Sequence, residues 1–182
     1  TNFLNNKFIL DTSANYIIQN DKNMVSQGQY FNPLTSLYLF PRGEDFSDVA
    51  VYERYDDLSG VNTQYWPYGD LGGVSSQNPY WIMNRMNREN DRRRYKLAAS
   101  LQYNIIEGLN VQGRVSIDNT ESKYTEKFHA GTVGNFAGPK GRYKEENRLD
   151  RQVYADVLAN FNKTFNEFNV TANLGASIKD LR

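Results

Sequence analysis

The sequence predicts an all-β fold in which about five long antiparallel strands follow one another as an up-and-down meander. Apolar and polar residues alternate with period two over stretches of roughly 11 to 14 residues, and this alternation indicates strands rather than helices. Tight turns alternate with two long connections. No apolar run approaches the roughly 18 residues that a membrane-spanning helix needs.

The middle of the chain carries the clearest hairpin pattern. Within the predicted strand 92–105, the odd positions from Tyr95 onward are apolar and the even positions are almost all polar. The alternation resumes over 109–119, after the connection 106–108. Because that connection ends in Gly108, it is typical of a hairpin with a type I turn and a left-handed third residue.

Two further regions alternate in the same way. The stretches 151–163 and 168–179 predict a second hairpin, joined by a short turn at 164–167. The stretch 8–20 predicts one more strand, although two isoleucines interrupt its polar face.

The predicted strands and connections have the dimensions of an outer-membrane barrel. Strands of soluble proteins average about 5 to 6 residues, whereas about 9 to 11 tilted residues cross a bilayer. Short periplasmic turns and long extracellular loops, here 21–91 and 120–150, are typical of such barrels. Because five strands cannot close and open edges are not tolerated in lipid, we expect a partial transmembrane β-barrel, an internal piece of a larger one.

The alternation assigns a side to each strand residue. Tyr95 and Tyr103 lie eight residues apart on the apolar face, close to the spacing of the two aromatic girdles of a barrel. The predicted lipid-facing residues are Tyr95, Leu97, Leu101, Tyr103, Val111, Val115, Ile117, Val157, Phe161, Val170 and Leu174. The predicted lumen-facing residues are Lys96, Gln102, Gln112, Arg114 and Asp118.

Composition argues against several functions. The chain has 182 residues with 21 basic and 21 acidic side chains, so its balanced charge gives no reason to expect a nucleic-acid partner. It contains no cysteine and a single histidine, His129, for which the sequence assigns no catalytic partner. We therefore predict no enzyme activity, no catalytic residue, no metal site and no cofactor.

A series of short motifs carries a family resemblance. In chain order they are Asn78-Pro79-Tyr80-Trp81, the strand from Arg92-Arg93-Arg94 to Ile105, Glu107-Gly108-Leu109, Gly113-Arg114-Val115-Ser116-Ile117-Asp118, Gly141-Arg142-Tyr143, Asn160-Phe161-Asn162-Lys163-Thr164-Phe165 and Ala172-Asn173-Leu174-Gly175. In this order and spacing, the chain resembles the barrel of SusC/RagA-type TonB-dependent outer-membrane transporters.

The resemblance implies a function and a location. It implies a barrel segment of a nutrient importer in the bacterial outer membrane, with oligosaccharides or peptides as substrates. It also implies two protein partners, a SusD-like surface lipoprotein and TonB, besides the outer-membrane lipid. The plug and the TonB box of such transporters lie outside this chain.

The aromatic residues of the first long loop have two interpretations. They could contact substrate or the partner lipoprotein, as aromatic side chains do at interfaces. They could instead pack the loop onto itself, which is the interpretation that we favour. The residues concerned are Tyr65, Trp66, Tyr68, Tyr80 and Trp81.

Two other functions remain open from the sequence. One is a soluble or surface-attached β-sheet module that binds glycans, and the other is a passive porin. The apolar face distinguishes the soluble module from a barrel at four residues: Leu97, Leu101, Val111 and Val115. Burial of this face beneath a second sheet of the same chain would favour the module, and a bare apolar belt would favour the barrel.

Overall fold

The computed structural model describes residues 2–3, 7–25, 27–28, 30–68 and 77–182. Its strands are β1 (Asn2–Phe3), β2 (Phe8–Lys22), β3 (Glu53–Asp56), β4 (Val61–Gln64), β5 (Met86–Ile106), β6 (Leu109–Phe128), β7 (Arg142–Phe165) and β8 (Phe168–Leu181). Its helices are α1 (Pro33–Tyr38) and α2 (Pro79–Arg85), with a 3-10 helix at Phe46–Ala50.

The main sheet is an open antiparallel meander of five long strands, to which the two-residue β1 adds an edge. Its spatial order is β1-β2-β5-β6-β7-β8, and β3 and β4 form a separate hairpin. Every long strand therefore pairs with its neighbour along the main sheet. The predicted all-β meander is confirmed.

The long strands extend further than the alternation predicts, chiefly at the ends joined by long connections. Residues 86–91, 120–128 and 142–150, which we assigned to loops, belong to β5, β6 and β7. These stretches are mostly polar on both faces, so no alternation marks them. Cross-strand ion pairs hold them instead, such as Lys123 with Glu145 at 3.2 Å.

Both tight turns have left-handed residues. Gly108 has φ 85°, as expected for the third residue of the predicted turn, and its carbonyl accepts a hydrogen bond from Asn162 N at 2.7 Å. In the second hairpin Phe165 pairs with Phe168, so the turn is shorter than 164–167. Asn166, with φ 50°, is the left-handed residue there.

The first long connection is structured. The range 21–91 contains α1, the 3-10 helix, the β3–β4 hairpin and α2; residues 26, 29 and 69–76 of that range lie outside the described part. Both α-helices begin with Asn-Pro. Asn32 caps α1 by accepting from Leu34 N at 3.0 Å, and Asn78 caps α2 by accepting from Tyr80 N at 2.8 Å. Proline is favoured at the first helical position because it lacks an N–H that would otherwise remain unpaired.

The chain divides into two compact units. Unit 1 comprises residues 1–19, 92–122 and 148–182, and unit 2 comprises residues 20–91 and 123–147. Unit 1 contains β1, most of β2, the tight-turn portions of β5, β6 and β7, and all of β8. Unit 2 contains a hydrophobic core formed by Trp81, Ile82, Met86, Phe128 and Ala137.

Candidate functional site

Ion pairs cross the polar face of unit 1. On β5, Arg94 donates from Nε and Nη2 to the two carboxylate oxygens of Asp118 on β6, at 2.8 and 2.5 Å. On β6, Arg114 donates from Nε to both oxygens of Asp156 on β7, at 2.9 and 3.1 Å. Two-point contacts between arginine and carboxylate fix both side chains. Three neighbouring strands thus share one ordered polar surface.

The predicted lumen-facing residues lie on this surface. Arg114 and Asp118 belong to the two ion pairs. Gln102 donates to Asn104 Oδ1 at 2.9 Å. Lys96 is exposed and Gln112 is half-buried.

The buried residues of unit 1 are polar. Within the described residues of this unit, only Asn119, at 4% exposure, and Asp156, at 7%, are buried. Every buried hydrophobic residue of the described chain belongs to unit 2. Since a sheet that folds in water buries apolar side chains and leaves polar ones outside, unit 1 has the reverse arrangement.

The apolar face of unit 1 is bare. Leu174 is 79% exposed. It belongs to the row of alternating apolar residues on β8, which in a protein folded in water would be buried. The predicted lipid-facing residues that are exposed are Tyr95, Leu97, Leu101, Tyr103, Val115, Val157, Val170 and Leu174. The remaining three, Val111, Ile117 and Phe161, are half-buried. Among the described residues, no second sheet covers this face.

Aromatic side chains stand at both ends of the apolar face of β2 and β5. At the end near the tight turn, the rings of Phe8 and Tyr103 stack with centroids 4.6 Å apart. At the other end Tyr16 and Tyr95 are both exposed. Eight residues separate the two levels on each strand, which corresponds to roughly 27 Å along the strand and about 21 Å along the normal at a tilt of about 40°.

Two of the predicted contact residues are core residues of unit 2. Trp81 is 1% exposed and Trp66 is 6% exposed. Trp66 packs against Phe40 and Tyr68, with ring centroids 6.4 and 5.3 Å away. Burial of the two tryptophans favours the interpretation in which the loop packs onto itself.

The other loop aromatics are partly accessible. Tyr65, Tyr68 and Tyr80 are half-buried. The guanidinium of Arg54 lies 3.4 Å from the centroid of the Tyr65 ring, and the rings of Tyr52 and Tyr80 stack at 6.3 Å. Each of these tyrosines thus has a partner inside unit 2 and retains some surface for contacts outside it.

An open cleft of about 530 Å³ in unit 2 brings together residues that no sequence motif connects. Its lining includes Glu53 of β3, Arg85 of α2 and His129, which follows β6. Arg85 donates to both carboxylate oxygens of Glu53 at 2.8 Å. Hydrogen bonds from Arg85 hold the pKa of Glu53 below its usual range. The carboxylate is therefore committed to an ion pair, which suits a structural role better than proton transfer.

The described part of the chain has no cluster of three or more metal-ligating His, Cys, Asp or Glu residues. Among the helices of that part, none is both long and apolar enough to cross a membrane. No family model and no curated protein matches the sequence.

Proposed function

We propose that this chain is part of the wall of a TonB-dependent outer-membrane importer for oligosaccharides or peptides. The observation that carries the proposal is the reversed burial of unit 1, whose apolar side chains are mostly exposed while Asp156 of the polar face is buried. In a barrel wall the outer face meets hydrocarbon and the inner face lines a polar lumen. The same sheet in water would lack the main driving force for folding.

The exposure of apolar side chains across this face supports a lipid environment. Soluble monomers rarely expose contiguous apolar patches larger than a few hundred Å². At about 25 cal/mol per Å², every such side chain left in water forgoes part of its burial free energy. Lipid removes this cost without requiring a second layer of protein, and it accepts small residues such as Ala99 as readily as Leu101.

The open edges of the sheet support a larger barrel. Among the described residues, β1 and β8 each have only one neighbour. Unpaired backbone groups cost several kcal/mol each in hydrocarbon, so barrels in lipid are closed. In this proposal, further strands of the complete barrel pair with both edges.

The polar face supports transport rather than a purely structural wall. Its arginine–aspartate pairs on β5, β6 and β7 present fixed charges to the lumen, and Gln102 and Asn104 add amides. Such a surface can hold a plug or pass a hydrated solute, as oligosaccharides and peptides are. By the resemblance described above, TonB supplies the energy and a SusD-like lipoprotein captures the substrate outside.

The proposal is tested by uptake in cells that carry the complete protein. A fluorescent oligosaccharide and a fluorescent peptide are supplied to cells with and without an uncoupler that dissipates the proton gradient. We expect saturable uptake of one of the two that ceases with the uncoupler. Uptake that rises linearly with substrate concentration and is unaffected by the uncoupler would identify a passive porin. Absence of uptake, with the protein in the soluble fraction and bound to glycans, would identify a glycan-binding module.

A further inference from the structure

The seven arginines of unit 1 differ in whether their side chains have partners. Five of them contact a carboxylate, amide or hydroxyl oxygen: Arg92, Arg94, Arg114, Arg148 and Arg182. The side chains of the other two, Arg93 and Arg151, have no partner among the residues that the structure describes. Both are exposed.

Arg93 and Arg151 lie on the apolar face. Arg93 is two residues from Tyr95 on β5, and Arg151 is two residues from Val153 on β7. Since side chains two apart in a strand share a face, each arginine continues an apolar row beyond its end. All five partnered arginines have even numbers, and four of them lie on the polar face of their strands. Arg182, bonded to Asp180, is the exception, because the even positions of β8 form its apolar face.

Cross-strand ion pairs place the two unpartnered arginines at a similar level near the loop end of the strands, since Arg94 on β5 contacts Asp118 on β6 and Arg114 on β6 contacts Asp156 on β7. Backbone N–H and C=O groups of Arg151 pair with those of Arg182 at 2.9 Å, and the Arg182 guanidinium is itself paired with Asp180. Arg93 is on β5 and Arg151 on β7, with β6 between them. Two strand spacings amount to roughly 10 Å. The exposed ring of Tyr95 lies beside this basic patch, formed by Arg93 and Arg151, on its apolar side.

We propose that the basic patch binds the phosphates of anionic lipid headgroups in the outer leaflet. The inference rests on the proposed membrane function and adds a ligand at the outer rim of the barrel wall. An arginine next to hydrocarbon extends its guanidinium toward the headgroups. Its planar donor fork matches the oxygens of a phosphate. Tyrosine at the same level is typical of the interfacial girdle. The patch therefore lies at the level of the lipid headgroups.

The test uses the complete barrel protein with the substitution Tyr95→Trp, reconstituted in lipid nanodiscs. The probes are phosphatidylcholine and phosphatidylglycerol, each supplied in turn with brominated acyl chains that quench a nearby tryptophan. Background fluorescence is taken from the protein without the substitution. The ratio of quenching by the two lipids measures the local preference for an anionic headgroup. We expect a preference of about fivefold per arginine, because each basic residue near an anionic surface contributes about 1 kcal/mol.

Variants separate the patch from general electrostatics. The double substitution R93Q/R151Q should abolish the preference, and R93K/R151K should retain part of it because the charges remain. The matched control is Arg92→Gln, which removes the same charge from the neighbouring residue on the opposite face and should leave the preference unchanged.

The possible outcomes distinguish this inference from the proposed function. Equal quenching by both lipids, or a preference that R92Q lowers as much as R93Q/R151Q does, would overturn headgroup binding while Tyr95 remains lipid-facing. No quenching of Trp at position 95 by either lipid would overturn the membrane orientation itself, and the inference with it. Loss of the preference on adding inorganic phosphate would show a site for free phosphate instead of a lipid site.

Discussion

In the proposed barrel wall, the substitution Ala99→Arg should destabilise the folded protein in lipid by about 2 to 4 kcal/mol, the cost of an arginine on the lipid face at the bilayer midplane. Ala99 lies midway between Tyr95 and Tyr103 on the apolar face of β5. Four residues correspond to roughly 14 Å along the strand, or about 10 Å along the normal. In the proposed orientation, Ala99 is therefore about as far from both hydrated membrane surfaces as any residue of β5.

The neighbouring residue provides a matched control. Ala98 is also a half-buried alanine of β5, but it faces the polar side. Ala98→Arg adds the same side chain to the same strand and should change the free energy of unfolding by about 0.5 kcal/mol or less, as surface substitutions usually do.

The measurement is equilibrium unfolding of the complete protein from lipid vesicles with guanidinium chloride. A difference of about 2 to 4 kcal/mol between the two variants corresponds to a factor of roughly 30 to 900 in the folding equilibrium. Equal stabilities of the two variants would refute the assignment of the faces. So would a larger loss for Ala98→Arg.

Three further predictions concern the turn and unit 2. Gly108→Ala should destabilise the first hairpin by about 1 to 3 kcal/mol, because a Cβ at this left-handed residue meets Asn162 O; unfolding midpoints measure the loss. Trp81→Ala should cost about 3 to 5 kcal/mol because it empties the core of unit 2; limited proteolysis should then cut the connection between β2 and β5 while the main strands stay intact. The Glu53–Arg85 pair stabilises unit 2 at neutral pH, and because the folded-state pKa of Glu53 is lowered, that stability is present above the ordinary glutamate pKa of about 4.3 and is lost as pH falls through the folded-state value. Glu53→Gln should weaken this pH dependence of protease resistance, and an unchanged dependence would contradict the role of the pair.

The sequence predicts the sheet because one physical cause, the contrast between the surroundings of its two faces, acts on every strand residue. Alternation over 109–119 and 168–179 follows from that contrast and locates the strands. Gly108 is predictable for a separate reason, since only the turn geometry requires a left-handed residue there.

The remaining features lack such a signal. Residues 120–128 and 142–150 are strands held by ion pairs, and polar residues on both faces resemble a loop in sequence. The cleft that contains Glu53 and His129 is formed by segments distant in sequence, so no spacing marks it. Trp66 illustrates a third limit. A tryptophan in a predicted loop has the same sequence signal whether its side chain is buried or exposed, and only the packing of the folded loop distinguishes the two.

The solvent that each face of the strands meets distinguishes a barrel wall from a sheet that folds in water. Nitroxide labels at successive positions from Leu109 to Ile117, one at a time, compare collisions with oxygen, which concentrates in hydrocarbon, and with a water-soluble nickel chelate. For a barrel wall, we predict that oxygen collisions peak at the odd positions of this range and reach their minimum at the even ones. Odd positions shielded from both reagents, or more accessible to nickel than to oxygen, would contradict it.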